Sequence, residues 1–425
     1  MRFLYTLLFI LLQPLVLLRL LWRSRKAPAY RERMAERYGV YRPYPRLDSC
    51  IWIHAVSVGE TIASVPFVKA LAAAHPGTPL VVTTTTPTGA ERVRSLLGDC
   101  VQHVYAPYDL PFAIRSFLRH FKPRLLVIME TELWPNTIHQ CRCSGVPVLL
   151  ANARLSVKSA AGYQRVSRLT RPMLQQLSRV AVQTGTEAGR FVALGLPPSS
   201  AVVTGNIKFD MDLGREDQQK ARRWRQLWGA SRPRWIAAST HEGEDAILLQ
   251  AHRALRQKHP DLLLILVPRH PERFDAVAGL CREAGFATHR LSEDDELPLD
   301  SEVLVGDTMG DLLGLYGAAD IAFVAGSLVP QGGHNLLEPA LWSLPVLAGP
   351  HLFNFQEIAE LMQAAGGLQL AADAMALEGA IQHLLADADY RREVGENAFS
   401  VVEQNRGALG RLLAVTDELL PRSQP

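Results

Sequence analysis

Residues 124–136 read RLLVIMETELWPN: five consecutive apolar side chains, Leu125 to Met129, followed at once by Glu130, Glu132, Trp134 and Pro135. A strand exposed on one face alternates polar and apolar residues. This one does not, which predicts a strand covered on both faces, as in a parallel sheet. Leu262–Val267 (LLLILV) repeats the pattern. From residue 50 onward such runs alternate with helical stretches. Strands are predicted at 51–56, 79–84, 124–129, 146–151 and 179–183, then at 235–239, 262–267, 320–325 and 345–349. The βα alternation predicts an α/β protein built on doubly wound parallel sheets.

At 425 residues the chain exceeds the size at which one core stops growing, so two domains are expected. The series breaks at 210–234, DMDLGREDQQKARRWRQLWGASRPR, a charged stretch between two strand patterns. The expected division is a membrane anchor at 1–22, an N-terminal domain at 23–210, a linker at 211–233, and a C-terminal domain at 234–425. The last would end in helical patterns near 376–386 and 397–420. SEDDELPLD (292–300) reads as a solvated loop. Doubly wound domains bind ligands outside the carboxyl ends of their strands, so chemistry is expected in a cleft between the two.

Composition is that of an ordinary globular protein: 48% hydrophobic, 20% charged, net charge +3. That balance gives no sign of nucleic-acid binding. The five cysteines (50, 100, 141, 143, 281) are odd in number. Cys141-Arg-Cys143 lacks a second pair at zinc spacing, so reduced cytosolic thiols and no metal site are expected.

The N-terminus is different in kind. Phe3 to Leu18 is apolar except for Thr6, Gln13 and Pro14, and carries no charge between Arg2 and Arg19. It is slightly short for a comfortable span and no small-residue cleavage site follows, which predicts an uncleaved signal anchor or a helix buried in one leaflet. Seven basic residues lie between Arg19 and Arg37, against only Glu32 and Glu36. Positive residues stay inside, so the body of the protein is expected in the cytoplasm, its basic run near anionic head groups.

Three polar tips sit on apolar strands of the first domain: HAVSVGE (54–60), TTTTPTG (83–89) and ETELWPN (130–136). Gly59 is expected to permit a close turn. Glu60 then falls in the first turn of a helix, whose dipole favours the ionised carboxylate and lowers its pKa. Such a carboxylate either complements the dipole or accepts a proton in a cleft. Glu130 and Glu132 at the next tip raise the second reading, because grouped carboxylates are costly unless a cation or a reaction uses them. Lys208, in VVTGNIKFD, and Arg269, after the second strand of the C-terminal domain, are candidate partners for anionic oxygens. The loop GSLVPQGGHN (326–335) leads into a helix expected to begin at 335–338. Its adjacent glycines are expected to bring backbone N–H groups and a helix N-terminus to an anion, with Glu338 reaching ribose hydroxyls. The loop lacks the spacing of the common ATP and dinucleotide motifs.

HAVSVGE, ETELWPN, NARLS (152–156), GNIKFD (205–210), STHEGE (239–244), PRHPERF (268–274), GDTMGDL (306–312) and GGHNLLEPA (332–340) together resemble, in order and across nearly the whole chain, the 3-deoxy-D-manno-oct-2-ulosonic acid (Kdo) transferases of Gram-negative bacteria. The resemblance implies a GT-B glycosyltransferase: two Rossmann-like domains facing across a cleft, acceptor on the first and nucleotide sugar on the second. It implies inverting transfer of Kdo from CMP-Kdo to the lipid A precursor at the inner face of the inner membrane, in lipopolysaccharide biosynthesis. Carried over by position, Glu60 is the general base, and Glu130 and Lys208 support the transition state. Pro268, Arg269, Met309, Gly310, Asp311, Asn335, Leu336, Leu337 and Glu338 contact CMP, and Ser239–Glu244 lines the cleft. CMP carries one phosphate, so Arg269 and backbone amides would neutralise it with no metal or other cofactor. Expected partners are CMP-Kdo, the lipid acceptor and inner-membrane lipids, with no nucleic acid. A GT-B transferase or epimerase using a UDP-sugar, or a catalytically silent nucleotide or lipid sensor, are the alternatives. An intact Glu60, Glu130 and Lys208 set argues against the sensor.

Overall fold

The computed structural model describes residues 1–25 and 27–420. These divide into two compact units: Met1–Asp210 with the segment beginning at Arg406, and Met211–Asn405. The first unit holds strands β1 (Cys50–His54), β2 (Leu80–Thr84), β3 (Gln102–Tyr105), β4 (Pro123–Met129), β5 (Val148–Ala153), β6 (Arg179–Val182) and β7 (Ala201–Val203). They form one parallel sheet in the order β3-β2-β1-β4-β5-β6-β7. The second unit holds β8 (Arg234–Thr240), β9 (Leu263–Pro268), β10 (Thr288–Arg290), β11 (Val303–Val305), β12 (Ile321–Val324), β13 (Val346–Ala348) and β14 (Leu368–Leu370). Their sheet is also parallel, ordered β10-β11-β9-β8-β12-β13-β14.

The unbroken apolar runs are explained by the packing. In the first unit Trp52, Leu126 and Ile128 face one core layer while Ile51, Ile53, Leu125 and Val127 face another, so successive residues are buried on opposite sides. In the second unit Trp235 and Ala237 face one layer, Ile236 and Ala238 the other. Both sheets are doubly wound, and strand order reverses on either side of β1 and β8. The gaps beyond β1/β4 and β8/β12 are therefore the places where ligands meet such sheets.

Three expectations about organisation differ from the structure. The segment expected as a linker belongs to the second unit. Arg215–Leu227 is a helix, and Trp224, with Trp228 stacked on it at 5.6 Å, enters the core beneath β8 and β9. It reads as a linker because only its narrow inner face is apolar. The C-terminal helical pattern is two helices, Ala388–Asn405 and Ala408–Leu419, broken at Gly407 with φ +86°. Only the first stays with the second unit. The other returns to the first, where Ala408, Leu412 and Val415 share a core with Phe67, Val68 and Leu71, and Asp210 accepts the amides of Gly407 and Leu409.

The apolar N-terminus forms α1 (Arg2–Leu11) and α2 (Gln13–Arg23), bent by 47° where Pro14 starts α2. No single described helix is long and apolar enough to cross a membrane; the bent pair meets that length and composition only when its two helices are taken together. The polar exceptions in the run point inward. Thr6 Oγ1 donates to Asn136 Oδ1 at 3.0 Å, the Tyr38 hydroxyl donates to Gln13 Oε1 at 3.1 Å, and Tyr5 bonds to Asp109. Phe3, Leu7, Leu8, Leu11, Leu15, Leu18 and Trp22 remain exposed outside. The inner face recurs at helical spacing, so the pair is amphipathic rather than uniformly apolar.

Candidate active site

Beyond β1 the chain stays extended to Ser57, which caps the helix Val58–Ala74. Ser57 and Glu60 cap the helix reciprocally, with Glu60 reaching the amide one residue before the cap. The Glu60 amide donates to Ser57 Oγ at 3.2 Å, while Glu60 Oε1 accepts the Ser57 hydroxyl at 2.8 Å and Oε2 accepts the Val56 amide at 2.7 Å. Gly59 is not needed for the turn. It lies inside the helix, and a Cβ there would meet only Ser57 Oγ, at 3.9 Å.

The expected lowering of the Glu60 pKa is also overturned. Burial pushes it up to about 7, and the nearby Glu132 and Glu130 add to the rise, against the pull of the Ser57 and Val56 hydrogen bonds. Desolvation of a side chain only 7% exposed outweighs the helix end. Helix capping thus holds a carboxyl group in a fixed orientation, with a proton affinity near neutrality.

Glu130 follows β4 with φ +57°, a left-handed conformation that side chains with a Cβ rarely adopt, and its amide donates to Ala151 O at 2.9 Å. Such strain costs on the order of 1–3 kcal/mol and clusters at functional sites. Two residues on, Glu132 accepts the indole N–H of Trp134 at 3.1 Å, and Trp134 packs edge-to-face on His54 at 4.6 Å. His54 Nδ1 lies 2.8 Å from Thr83 Oγ1, and burial pulls its pKa down to about 3, so it is neutral.

Lys208, half-buried, sits in the short turn Ile207–Phe209, which packs on the Val58–Ala74 helix. Asn152 Oδ1 accepts the Ile207 amide at 3.2 Å, so the NARLS segment, which begins at the end of β5, fixes the turn that carries the lysine. The structure thereby brings Glu60, Glu130 and the Lys208 turn to the carboxyl edge of one sheet.

In the second unit Ser239 (φ +62°) distorts the end of β8. Glu244, expected in the cleft lining, is fully buried. It accepts the amides of Gly326 at 2.7 Å, Ser327 at 3.0 Å, Leu328 at 2.9 Å and His241 at 2.9 Å. It ties the loop after β12 to the loop after β8. Those amides, with that of Gly333, which donates to Gly326 O at 2.8 Å, are consumed inside the protein. The expected display of loop N–H groups to an anion is corrected for Gly326, Ser327, Leu328 and Gly333, whose amides are taken. The glycines answer a packing need: a Cβ on Gly332 would fall 2.4 Å from Asn354 Nδ2, and one on Gly333 2.6 Å from Leu352 Cδ2. The helix that follows, Leu337–Ala340, is a single turn and supplies little dipole.

Around this loop stand the remaining candidates. Pro268 closes β9, and Arg269 beside it is exposed, its amide donating to Thr240 O at 3.1 Å. Asn335 Nδ2 donates to Glu338 Oε1 at 3.1 Å; burial raises the Glu338 pKa, while Asn335 and Arg269 hold it back. His241 and His334 lie parallel with Nε2 atoms 2.9 Å apart, and burial lowers both pKa values, that of His334 to about 4. Met309 is 67% exposed beside Gly310 (φ +92°), whereas Asp311 pairs with Lys220 at 2.9 Å. Leu336 and Leu337 are fully buried, and the Leu337 amide is taken by Asn335 Oδ1. Sequence reasoning missed Arg273, which fixes Thr240 O and the Asp245 carboxylate, and His334 as the partner of His241. No local spacing announces either. Among the described residues no cluster of three or more histidine, cysteine or carboxylate side chains has a metal-holding arrangement. A 780 Å³ cavity lined by Arg115, Lys122 and Pro123 opens at the amino end of β4, at the opposite edge of the sheet.

Comparison with known proteins accounts for both units. Residues 32–211 match the 3-deoxy-D-manno-octulosonic-acid transferase (kdotransferase) family model, and residues 231–401 that of glycosyl transferases group 1. The 3-deoxy-D-manno-octulosonic acid transferase of Haemophilus influenzae is 46% identical over 99% of both chains; that of Bordetella pertussis is 38% identical over 99% of both. Among solved structures, the UDP-GlcNAc 2-epimerase of Neisseria meningitidis covers 87% of this chain and 100% of its own at TM-score 0.58. A glycosyltransferase from Rickettsia africae covers 89% and 100% at 0.56. At 15% and 16% identity these two share the fold alone. Identity of this order along the whole length, over two Rossmann-like parallel sheets, makes the chain a member of the Kdo transferase family, a glycosyltransferase of the GT-B fold.

Proposed function

We propose that this enzyme moves Kdo from CMP-Kdo to the lipid A precursor with inversion, Glu60 serving as general base. The observation that carries the base assignment is the Glu60 carboxyl itself, oriented by two hydrogen bonds at the strand-order reversal of the first sheet, with its pKa pushed up to about 7. Each carboxylate oxygen keeps a lone pair beyond the one its hydrogen bond uses. Glu60 takes the proton of the acceptor hydroxyl as that oxygen bonds to the anomeric carbon. The bond from that carbon to the CMP phosphate oxygen breaks, and its electron pair leaves with CMP. A base with affinity near the working pH is efficient in this role. Glu130 stabilises positive charge developing on the sugar ring, and Lys208 faces the departing phosphate or the sugar carboxylate. Arg269, exposed beside Pro268, takes the CMP phosphate. Asn335 and Glu338 take the nucleoside side of the donor, and Met309–Asp311 packs near it.

The α1–α2 pair lies in the cytoplasmic leaflet of the inner membrane with its apolar outer face in lipid, as amphipathic interfacial helices do, and anchors the catalytic units on the cytoplasmic side. The docking of Thr6 and Gln13 on the protein supports this in-plane reading over a full span. The test is transfer by the wild-type chain: CMP released in step with Kdo appearing on the lipid acceptor supports the reading. Turnover of a UDP-sugar in its place, or none with CMP-Kdo, overturns it.

A further inference from the structure

Two cavities lie between the N-terminal helices and the carboxyl edge of the first sheet, of 320 and 270 Å³, and share Val16, Arg37, Thr85 and Tyr108 in their walls. Their remaining linings differ in chemistry. The first is closed by the aromatic rings of Tyr5, Phe9 and Trp134, with Ala106 and the buried Asp109 carboxylate, which is held by the Asn136 and Thr137 amides and by Tyr5, also in its wall. The second adds Arg19 and Arg23 from α2, so that three of its described lining residues are arginines and none is acidic.

Arg37 is the unusual member. It is 3% exposed, its Nη2 donates to Thr85 O at 2.9 Å, and its Nε has no hydrogen-bond partner. The guanidinium lies over the Tyr105 ring at 4.3 Å, and the neighbouring carboxylate acts on it through space while its hydrogen bonds go elsewhere. Glu36 is committed to Arg33 at 2.6 and 2.8 Å, the Tyr44 hydroxyl at 2.9 Å and the Tyr105 amide at 2.7 Å. A buried guanidinium with an idle donor is costly unless an anion meets it. Burial lowers its pKa, against a smaller upward pull from Tyr108, Tyr105 and Glu36. Thr86, in the wall of the second cavity with Arg37, caps the eleven-residue helix Pro87–Leu97, which has no acidic residue in its first turn. Guanidinium groups and a helix N-terminus lining one cavity are both groups that bind phosphate.

We propose that this pair of cavities binds a phosphate-bearing amphiphile, the phosphate between Arg37, Arg19, Arg23 and Thr86, and the proximal acyl part against Tyr5, Phe9 and Trp134. The site is coupled to the candidate base. Arg37 bonds to Thr85 O, Thr85 Oγ1 to Val56 O at 3.0 Å, and the Val56 amide to Glu60. An amphiphile held there has its head group beside the loop that carries Glu60, and the outward apolar face of α1 and α2 opens the same region to lipid. This rests on the reading that the first unit meets a lipid acceptor.

The probes are dihexanoyl phosphatidic acid, dihexanoyl phosphatidylcholine and inorganic phosphate, titrated calorimetrically into the full chain. The variants are Arg19→Gln with Arg23→Gln, whose side chains are exposed, and separately Arg37→Gln. Phosphatidic acid is expected to bind at least ~10-fold more tightly than the other two, and the double variant to lose at least ~10-fold, the scale of charge-assisted contacts. Equal affinity for phosphatidylcholine or for inorganic phosphate, or a double variant within twofold of wild type, overturns the proposal, whether or not Arg37→Gln folds. Kinetics separates two sources of the phosphate. A raised KM for the lipid acceptor in micelles at unchanged kcat makes it the acceptor's own. Weakened binding to vesicles of phosphatidylcholine with phosphatidic acid, at unchanged KM, makes it a surrounding phospholipid; both keep the site. Absent Kdo transfer by the wild type with lipid discrimination intact overturns the proposed reaction and leaves the site standing.

Discussion

The Ser57 hydroxyl donates to Glu60 Oε1 at 2.8 Å and accepts the Glu60 amide at 3.2 Å, so the residue assigned as the base is also half of a helix cap. Glutamine keeps the acceptor oxygen of the cap and loses the base; alanine loses both. Glu60→Gln is expected to reduce kcat for Kdo transfer by at least ~100-fold, with the melting temperature near that of wild type below about pH 4.5 and no lower at neutral pH. Glu60→Ala should add a stability loss of about 0.5–2 kcal/mol. Parallel kinetics and calorimetry decide it: a Glu60→Gln enzyme that retains activity leaves the glutamate as a cap alone.

Because burial raises the Glu60 pKa to about 7, the base form populates as pH rises through neutrality. The acidic limb of kcat/KM should therefore fall near pH 7, well above the range of an ordinary carboxylate, if Glu60 sets it. The same shift has a stability consequence of opposite direction. The folded state holds the proton more tightly than the unfolded chain, so this contribution is fully present below about pH 4.5 and is lost as pH rises through about 7. Glu60→Gln should remove that decline from a series of melting temperatures. An acidic limb near pH 4 would contradict the shift.

Glu244 holds four backbone amides in a dry site. Glu244→Ala strands all four, at about 1–3 kcal/mol for each one that water does not reach. The expected result is loss of the second unit's folding transition, or a fall of roughly 6 °C or more, at about 2–4 °C per kcal/mol for a unit of this size. Donor binding should fall with it, because the loop leading to Asn335 and Glu338 loses its tether. A shift within about 2 °C by scanning calorimetry would show that the loop holds itself.

Leu412 lies in the final helix yet packs in the core of the first unit. Leu412→Ala should cost about 2–5 kcal/mol and lower the first unit's transition while leaving CMP affinity, a property proposed for the second unit, within twofold. Loss of CMP binding at unchanged stability would argue against this placement.

Much of this was written in the local pattern. All nine strands read as unbroken apolar runs are present, because central strands of a parallel sheet bury both faces and leave a continuous apolar record. The short strand read before Lys208 is β7; the strands not anticipated, β3, β10, β11 and β14, are three or four residues long, and three of them are sheet edges. Edge strands pack on fewer neighbours and keep polar residues, as in Gln102–Tyr105 and Thr288–Arg290, so they leave no apolar run to read. Glu60, Glu130 and Lys208 were legible as polar tips after strands, and their family resemblance gave them roles.

The signs and partners were not legible, since these depend on what surrounds a side chain. The sequence placed Glu60 at a helix start and so implied a lowered pKa; burial, which arises from segments distant in the chain, reversed it. Glycines 332 and 333 looked like an anion cradle, but the Gly333 amide is taken by Gly326 O, and a Cβ on either glycine would strike Asn354 or Leu352. Likewise, no local pattern indicates that the last helix crosses back to the first unit, or that Thr6 and Gln13 turn an apolar run into a two-faced one. Periodicity records which faces of an element are covered; only the packed chain decides what covers them, and with it the charge state of every buried group.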